Sequence, residues 1–464
     1  MAKRSGLTRG DRRRNERIAA VRAVVRTDRA VLAIDLGEDR QVAALLDHDG
    51  RVLGRRSVRA KAHGLGGLLG WAQAQAAGQG FAGVVVGCEP TGHRWRAVMA
   101  LADAAGMGFV CVQALRVHLA READDYTRDK TDHKDAVVIG KLVARLDCYL
   151  PERADADWAR LRHLGQRRFR LVGQAVAYRL QVADLLACCW PAALSAAAKP
   201  LGSTTWLACL AVAVAGDGDP ANWHRVGRET FVAAVRRQLP RLGGKRVCRR
   251  ILEAFFDALA DRAGAVEQRR GGLERIGFLL DDWCATSQRL SEVETRMVGV
   301  LDALRLTGLV TSIPGLSALG AAVILAETGD PSRFATGRSV VKHAGLNPAE
   351  NTSAASRGVT KVSRRGRPAL RVAAWPAVWA TLPANPVLAA KFTHLSGRDR
   401  HRLSAGQARV AGPAALAARH RHLRPGMGPR HRHRGRPRLP ARHRGGLIPG
   451  RTSRQHPQRR SRST

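Results

Sequence analysis

Two short apolar runs, each ending in an acid, constrain this chain more than any other feature: Ala30-Val-Leu-Ala-Ile-Asp35-Leu-Gly37 and Gly83-Val-Val-Val-Gly-Cys-Glu89. The second is continuous and too short for a globular helix, the pattern of a strand buried on both faces. Between and after them, strand and helix patterns alternate. Gln41–Asp47 and Arg51–Val58 flank His48-Asp49-Gly50, and two runs joined through Asp-Gly predict a hairpin, so three antiparallel strands open the domain. Ala62–Gly78 has helical composition, and Pro90-Thr91-Gly92 interrupts the chain before a helix over 93–105. Phe109–Val112 reads as another buried strand, and a short helix is predicted over 117–125.

A closing helix begins in Lys130-Thr-Asp-His-Lys-Asp-Ala136 and runs to about Leu150, before Pro151. Asp132 and Asp135 sit three apart, so in a helix their carboxylates share one face and repel by about a few tenths of a kcal/mol unless a cation offsets them. Lys130 and Lys134 can do so, and so can a divalent metal. Taken alone, the two acids suit a solvated first turn. Glu89 alone equally suits a cap for the turn that follows it. The order of elements is that of the ribonuclease H-like fold, in which the first strand, the fourth strand and a late helix bring acids to one sheet edge. Asp35, Glu89, Asp132 and Asp135 occupy those places.

The chain of 464 residues has room for two or three domains. Its 78 Lys and Arg against 38 acids leave a formal net charge of +40, which calls for a polyanionic partner, nucleic acid first. From His401 onward there are 17 Arg, no Lys and no acid, and taking those 17 from +40 leaves +23 on the first 400 residues. The body is basic without its tail. The eight cysteines form no CxxC pair and follow no zinc spacing, so they read as small apolar residues in a reducing compartment. No signal peptide is visible in the charged first 29 residues, and no apolar stretch reaches membrane-spanning length. These features predict a cytosolic, nucleic-acid-facing protein with no membrane partner.

Past Pro151, a helical stretch over 155–190 carries Trp158, Leu161, Phe169, Val172, Val176 and Leu180 on a rough stripe. Ile276, Trp283, Leu290, Met297 and Leu304 recur every seven residues, with Leu279, Val293 and Val300 three beyond, a coiled-coil seam interrupted by Thr286. That seam suits either an antiparallel pair with the 155–190 helix or a subunit contact. Ile313-Pro-Gly315 between helical runs resembles a helix-hairpin-helix, which offers backbone amides to phosphate, with Ser317 where a second glycine usually sits. Gly345-Leu-Asn-Pro348 opens a polar loop through Ser353 to Gly358, followed by Lys361, Arg364, Arg365, Arg367 and Arg371. A small hydroxyl in such a loop suits a nucleophile aimed at a phosphodiester, or an inert serine beside arginines that position phosphate. After Arg400 the composition turns abruptly to Arg, His, Pro and Gly, which cannot bury a core and reads as a disordered, frameshifted tail.

Over roughly residues 30–395 the chain resembles the insertion-sequence transposases that pair a RuvC-like DEDD domain with a C-terminal serine module, the bridge-RNA-guided recombinases. The motifs that carry the resemblance are Ala33-Ile-Asp-Leu-Gly37, Glu89-Pro-Thr-Gly92, Lys130–Ala136, Ile313-Pro-Gly315, and Gly345-Leu-Asn-Pro348 through Ser353 to Gly366 and Leu370-Arg371. Composition predicts a basic flexible arm over 1–29 and the disordered tail over 396–464. Between them the resemblance implies an α/β ribonuclease H-like (RuvC-like) catalytic domain over 30–150, a helical coiled-coil middle over 151–305 and a mainly helical transposase module over 306–395. It further implies that Asp35, Glu89, Asp132 and Asp135 bind Mg²⁺ (or Mn²⁺), and that Ser353, five residues after Pro348, is the nucleophile. Lys130, Lys134, Arg357, Lys361, Arg364, Arg365 and Arg371 are then expected to contact nucleic acid. The implied partners are DNA, a structured guide RNA, and further copies of the chain in a dimer or tetramer built on the helical middle.

Two departures stand out. Ala354 replaces the glycine that usually follows the serine, and the tail departs altogether, leaving the activity of this copy open. The competing readings are a RuvC-like junction nuclease using metal-activated water, and an inactive nucleic-acid-binding remnant.

Overall fold

The computed structural model describes residues 6–124, 131–153, 155–215, 219–349, 352–353, 356–357 and 361–398; side chains between 350 and 360 and beyond 394 are not among them. The chain divides into two units, Met1–Ala154 and Asp155–Thr464.

The first unit is built on a five-stranded sheet of order β3-β2-β1-β4-β5. Its strands are β1 (Arg29–Leu36), β2 (Arg40–Leu46), β3 (Val52–Arg59), β4 (Gly83–Cys88) and β5 (Gly108–Cys111). β1–β2 and β2–β3 pair antiparallel, while β1–β4 and β4–β5 pair parallel. The hairpin between β2 and β3 forms where Asp-Gly predicts it. Asp47 Oδ1 accepts from the amides of Asp49 (3.0 Å) and Arg51 (2.8 Å), and Gly50 takes the φ of +87° that the turn requires.

Strand alternation divides the core in two. Leu32 and Ile34 of β1 face a cluster with Leu68 and Val98, from α2 (Ala62–Gly78) and α3 (Arg94–Ala104). Val31 and Ala33 face a second cluster with Ala136, Ile139 and Val143 of α5 (Asp132–Ala144). α5 lies against this face because two glycines let it approach. A Cβ on Gly140 would meet Leu46 Cδ1 at 2.4 Å, and one on Gly87 would meet Val143 Cγ2 at 2.6 Å. Gly140→Ala is therefore expected to cost about 1–3 kcal/mol by overpacking, read as a lower denaturation midpoint of the full chain.

Three helices of this unit differ from the sequence expectation in extent, among them α5, which ends at Ala144 rather than near Leu150. Within the 1–29 segment, read as a flexible arm, α1 (Arg9–Val24) is helical. Thr8 caps it reciprocally with Asp11, and Val21 and Val25 are buried in the sheet core. The short helix before the acids is α4 (Ala114–Asp124), of which Val117 alone is buried.

In the second unit, α6 (Ala156–Cys189) and α12 (Val266–Ala303) form an antiparallel pair. Arg168 Nε bonds Glu294 Oε1 at 2.8 Å, and Arg275 Nη2 bonds Gln181 Oε1 at 3.0 Å, so the two sequences run in opposite directions. The seam is thus filled from within the chain, with Thr286 buried in it. α7 (Pro191–Ser195), α8 (Thr204–Val214), α9 (Ala221–Val226), α10 (Arg228–Gln238) and α11 (Arg249–Ala258) pack at one end of the pair. Trp190, Trp206, Phe231 and Phe255 are fully buried there, and each indole N–H finds a carbonyl (Ala258 and Ala193). At the other end, α13 (Thr307–Thr311) and α14 (Ala318–Thr328) follow, and a Cβ on Gly165 would come within 2.5 Å of Ala326 Cβ. α15 (Gly337–His343), the short strands β6–β9 over 348–362, α16 (Pro368–Ala384) and α17 (Pro386–Arg398) complete it.

All eight cysteines are free thiols. Burial pushes Cys148 and Cys209 up to about 12, so both stay protonated at neutral pH and act as packing residues. Among the described residues no helix is long and apolar enough to cross a membrane.

Candidate active site

In the parallel register Ile34 lies beside Cys88, so the next residues, Asp35 and Glu89, leave the C-terminal ends of β1 and β4 side by side. Asp35 follows Val31 and Ala33 in the alternation, and Glu89 follows Val85 and Gly87. Both acids therefore point to the face that carries α5. Each is half-buried. Glu89 Oε1 accepts from Thr91 Oγ1 at 3.0 Å, which fixes the carboxylate against its own Pro-Thr-Gly turn.

The turn after β1 is tight. A Cβ on Gly37 would lie 2.4 Å from the Arg40 carbonyl, so only glycine fits. Arg94, at the start of α3, donates to the Gly37 carbonyl at 3.0 Å and thereby ties the β4 exit to the β1 exit. No sequence pattern singled out Arg94.

Asp132 and Asp135 share the first turn of α5, which Thr131 caps by accepting from the Lys134 amide at 3.2 Å. Asp132 is exposed, whereas Asp135 is only 5% exposed. Both Asp135 oxygens accept from Arg121 Nη1 of α4, at 2.7 and 2.8 Å. Arg121 too was invisible in the sequence pattern. Lys134 is half-buried on α5, and Lys130 lies outside the described residues.

The strands thus bring Asp35 and Glu89 together, and α5 brings Asp132 and Asp135 together. Among the described residues, however, no group of three or more His, Cys, Asp or Glu is spaced to hold a metal with the side chains as they stand. As donors the four carboxylates fit a hard divalent cation.

In the second unit the serine loop is a hairpin closed at its base. β6 (Pro348–Ala349) pairs with β9 (Lys361–Val362), and β7 (Thr352–Ser353) pairs with β8 (Ser356–Arg357). Ser353 stands opposite Ser356, and Arg357 opposite Thr352, at the rung beside the tip. Two glycines cross at the base. Gly345 has a φ of +70°, and a Cβ on Gly366 would come within 2.2 Å of the Gly345 nitrogen. Ser363 Oγ donates there to Asn347 Oδ1 at 2.8 Å.

The cationic run divides by environment. Lys361, Arg364 and Arg365 are exposed, while Arg371 donates to the Ala344 carbonyl at 2.8 Å and Arg367 to the Glu327 carbonyl at 3.0 Å. Arg371, expected at nucleic acid, thus also holds the hairpin base through Nη1. The Pro-Gly turn is exposed but backs onto α16, since a Cβ on Gly315 would meet the Ala380 carbonyl and Thr381 Cα at 2.7 Å. Ser317 serves as the cap of α14, accepting from the Gly320 amide at 3.0 Å.

Residues 32–191 match a family model for the DEDD transposase domain of IS110, described as a transposase, and residues 307–393 match that of the transposase IS116/IS110/IS902 family. The chain is 28% identical over 274 residues to an uncharacterized 43.6 kDa protein of insertion element IS110 from Streptomyces coelicolor. That match covers 58% of this chain and spans 65% of the relative's length. The first matched span, which contains the mixed sheet, gives the class as that of the DEDD transposases. With both matched spans in the same order and together exceeding half its length, the chain belongs to the IS110 family of transposases.

Proposed function

We propose that this protein is a DNA transposase of an insertion sequence, cutting and rejoining strands on a ribonuclease H-like domain with Ser353 as nucleophile. The observation that carries the reading is the β1–β4 register, which sets Asp35 beside Glu89 at the end of the sheet. Family membership supports it, because divalent-cation dependence goes with a DEDD domain in general. Asp35, Glu89, Asp132 and Asp135 would hold Mg²⁺ or Mn²⁺. Such a cation supplies activation of the attacking hydroxyl and stabilisation of the leaving oxygen.

The remaining work falls to the chain's own groups. Ser353 carries a small primary hydroxyl, less hindered than the β-branched Thr352. Attack on a phosphodiester forms a Ser353 Oγ–phosphorus bond and releases a 3′- or 5′-hydroxyl. The bond energy is thereby kept for the reverse step, and rejoining needs no ATP. Lys361, Arg364 and Arg365, exposed along the hairpin's return strand and the turn after it, supply phosphate contacts. We assign target choice to a structured guide RNA, since the chain offers many backbone-contacting arginines and no base-reading motif. The active assembly is a dimer or tetramer in which the serine of one copy serves the acids of another, and it works at the bacterial nucleoid.

The test is Ser353→Ala. A transposase of this kind loses covalent protein–DNA adducts and strand rejoining, whereas a nuclease using activated water keeps cutting. Undiminished cutting by Ser353→Ala with wild-type rejoining would reject the proposal.

A further inference from the structure

Asp135 is the most enclosed acid of the candidate site, and a single guanidinium nitrogen engages both of its oxygens. The donor, Arg121, has a side chain only 16% exposed, against 8% for its partner. It sits on a helix that is lightly held. In α4 only Val117 is buried, while Leu115 and Leu119 are 51% and 53% exposed. Besides partly buried Ala120, its other ties among the described residues are ion pairs at the surface, Arg116 to Asp147 and Asp124 to Lys141, of a kind worth little each. An arginine buried against a carboxylate, on a helix with so little apolar anchorage, is built to exchange.

We infer that Arg121 is a built-in counter-ion for Asp135 that a divalent cation must displace, so that α4 acts as a metal-responsive latch over the acids. The inference rests on the proposed reading of these acids as metal ligands. Before the cation arrives, Arg121 offsets the repulsion of Asp135 with Asp132, three residues away on the same helix. When the cation takes the Asp135 oxygens, the guanidinium has lost its partner and leaves the half-buried site, carrying the end of α4 with it. A guanidinium released in this way becomes available for a phosphate, to which its planar fork is well matched. Arg121 is thus a positioning residue, acting through Asp135.

The experiment is Mn²⁺ titration of the full chain by calorimetry, with hydrogen exchange of α4 followed in parallel. Arg121→Gln should tighten Mn²⁺ binding on the order of tenfold, the size of one partly buried charge pair. Arg121→Lys, which keeps the positive charge, should return the affinity to near the wild-type value. In the wild type, saturating Mn²⁺ should speed exchange of the amides of residues 119–124, a readout that needs no variant to fold. Equal or weaker binding by Arg121→Gln, or α4 amides slowed or unmoved by Mn²⁺, would overturn the latch. Asp35→Asn separates this from the parent reading. If Mn²⁺ binding survives Asp35→Asn, or is missing from the wild type, the metal reading fails and the latch with it. If binding is lost in Asp35→Asn yet not tightened in Arg121→Gln, the latch alone fails.

Discussion

Asp35→Asn is expected to lower DNA strand cleavage by on the order of 10³-fold. The substitution is nearly isosteric and leaves the β1 register with β2 and β4 intact, so the fold should persist. What it removes is one anionic oxygen ligand at the sheet edge beside Glu89. A metal steadying the transition-state charge is worth several kcal/mol, and each 1.36 kcal/mol is tenfold in rate. The measurement is the single-turnover nicking rate of supercoiled DNA with Mg²⁺, alongside the thermal midpoint. Asp39→Asn, an exposed acid in the turn that follows, should stay within a few-fold of wild type. Near wild-type cleavage by Asp35→Asn would remove the acid from the mechanism.

The second large effect lies in the other unit, at the base of the serine hairpin. Gly366→Ala would place a methyl group 2.2 Å from the Gly345 nitrogen and 2.6 Å from the Ala344 carbonyl carbon. Both obstacles are backbone, so no side chain can turn aside. The cost is about 3 kcal/mol, at the upper end of the overpacking range, and it falls on the loop that presents Ser353. Adduct formation should drop on the order of 10²-fold, at about 1.4 kcal/mol per tenfold. Gly345→Ala should do comparable damage, since its φ of +70° disfavours any Cβ and its neighbour is the Arg365–Gly366 backbone. Because both substitutions open the same crossing, the double variant should be less than additive. Mn²⁺ binding in the first unit should be unchanged in all three. Full adduct yield from Gly366→Ala would show that the crossing does not set the loop.

Much of the first unit was legible because its signals are local. Apolar runs closing on an acid located Asp35, next to last in β1, and Glu89, just after β4, and Asp-Gly fixed the hairpin between β2 and β3. Helix α2 runs over Ala62–Gly78 as its composition predicts. α1 escaped notice because it is strongly basic and anchors only at its C-terminal end, through Val21, Val24 and Val25, so it lacks an apolar stripe. The one signal available was Thr8 followed three residues later by Asp11, a variant capping box. Arg94 and Arg121 were not legible at all. Each acts on a group far away in the chain, Gly37 and Asp135, through a tertiary contact with no characteristic spacing. The same holds for Gly345 and Gly366, which meet only once the hairpin has closed.

Arg371 and the Pro-Gly turn illustrate a different limit. Both matched the composition of a nucleic-acid contact, and each also has an internal packing role: Arg371 Nη1 donates to the Ala344 carbonyl, and the exposed Gly315 backs onto α16. A cationic run in sequence does not say which members face solvent, because burial is decided by neighbours such as α14 and α16. Lys361, Arg364 and Arg365 remain exposed and are the better candidates for phosphate.

The most direct test of the central claim is to trap the protein–DNA adduct in Mg²⁺ and map the modified residue by mass spectrometry. The account predicts a phosphodiester on Ser353, absent from Ser353→Ala and dependent on Asp35. Modification at Thr352 or Ser356, or an undiminished adduct in Ser353→Ala, would contradict it.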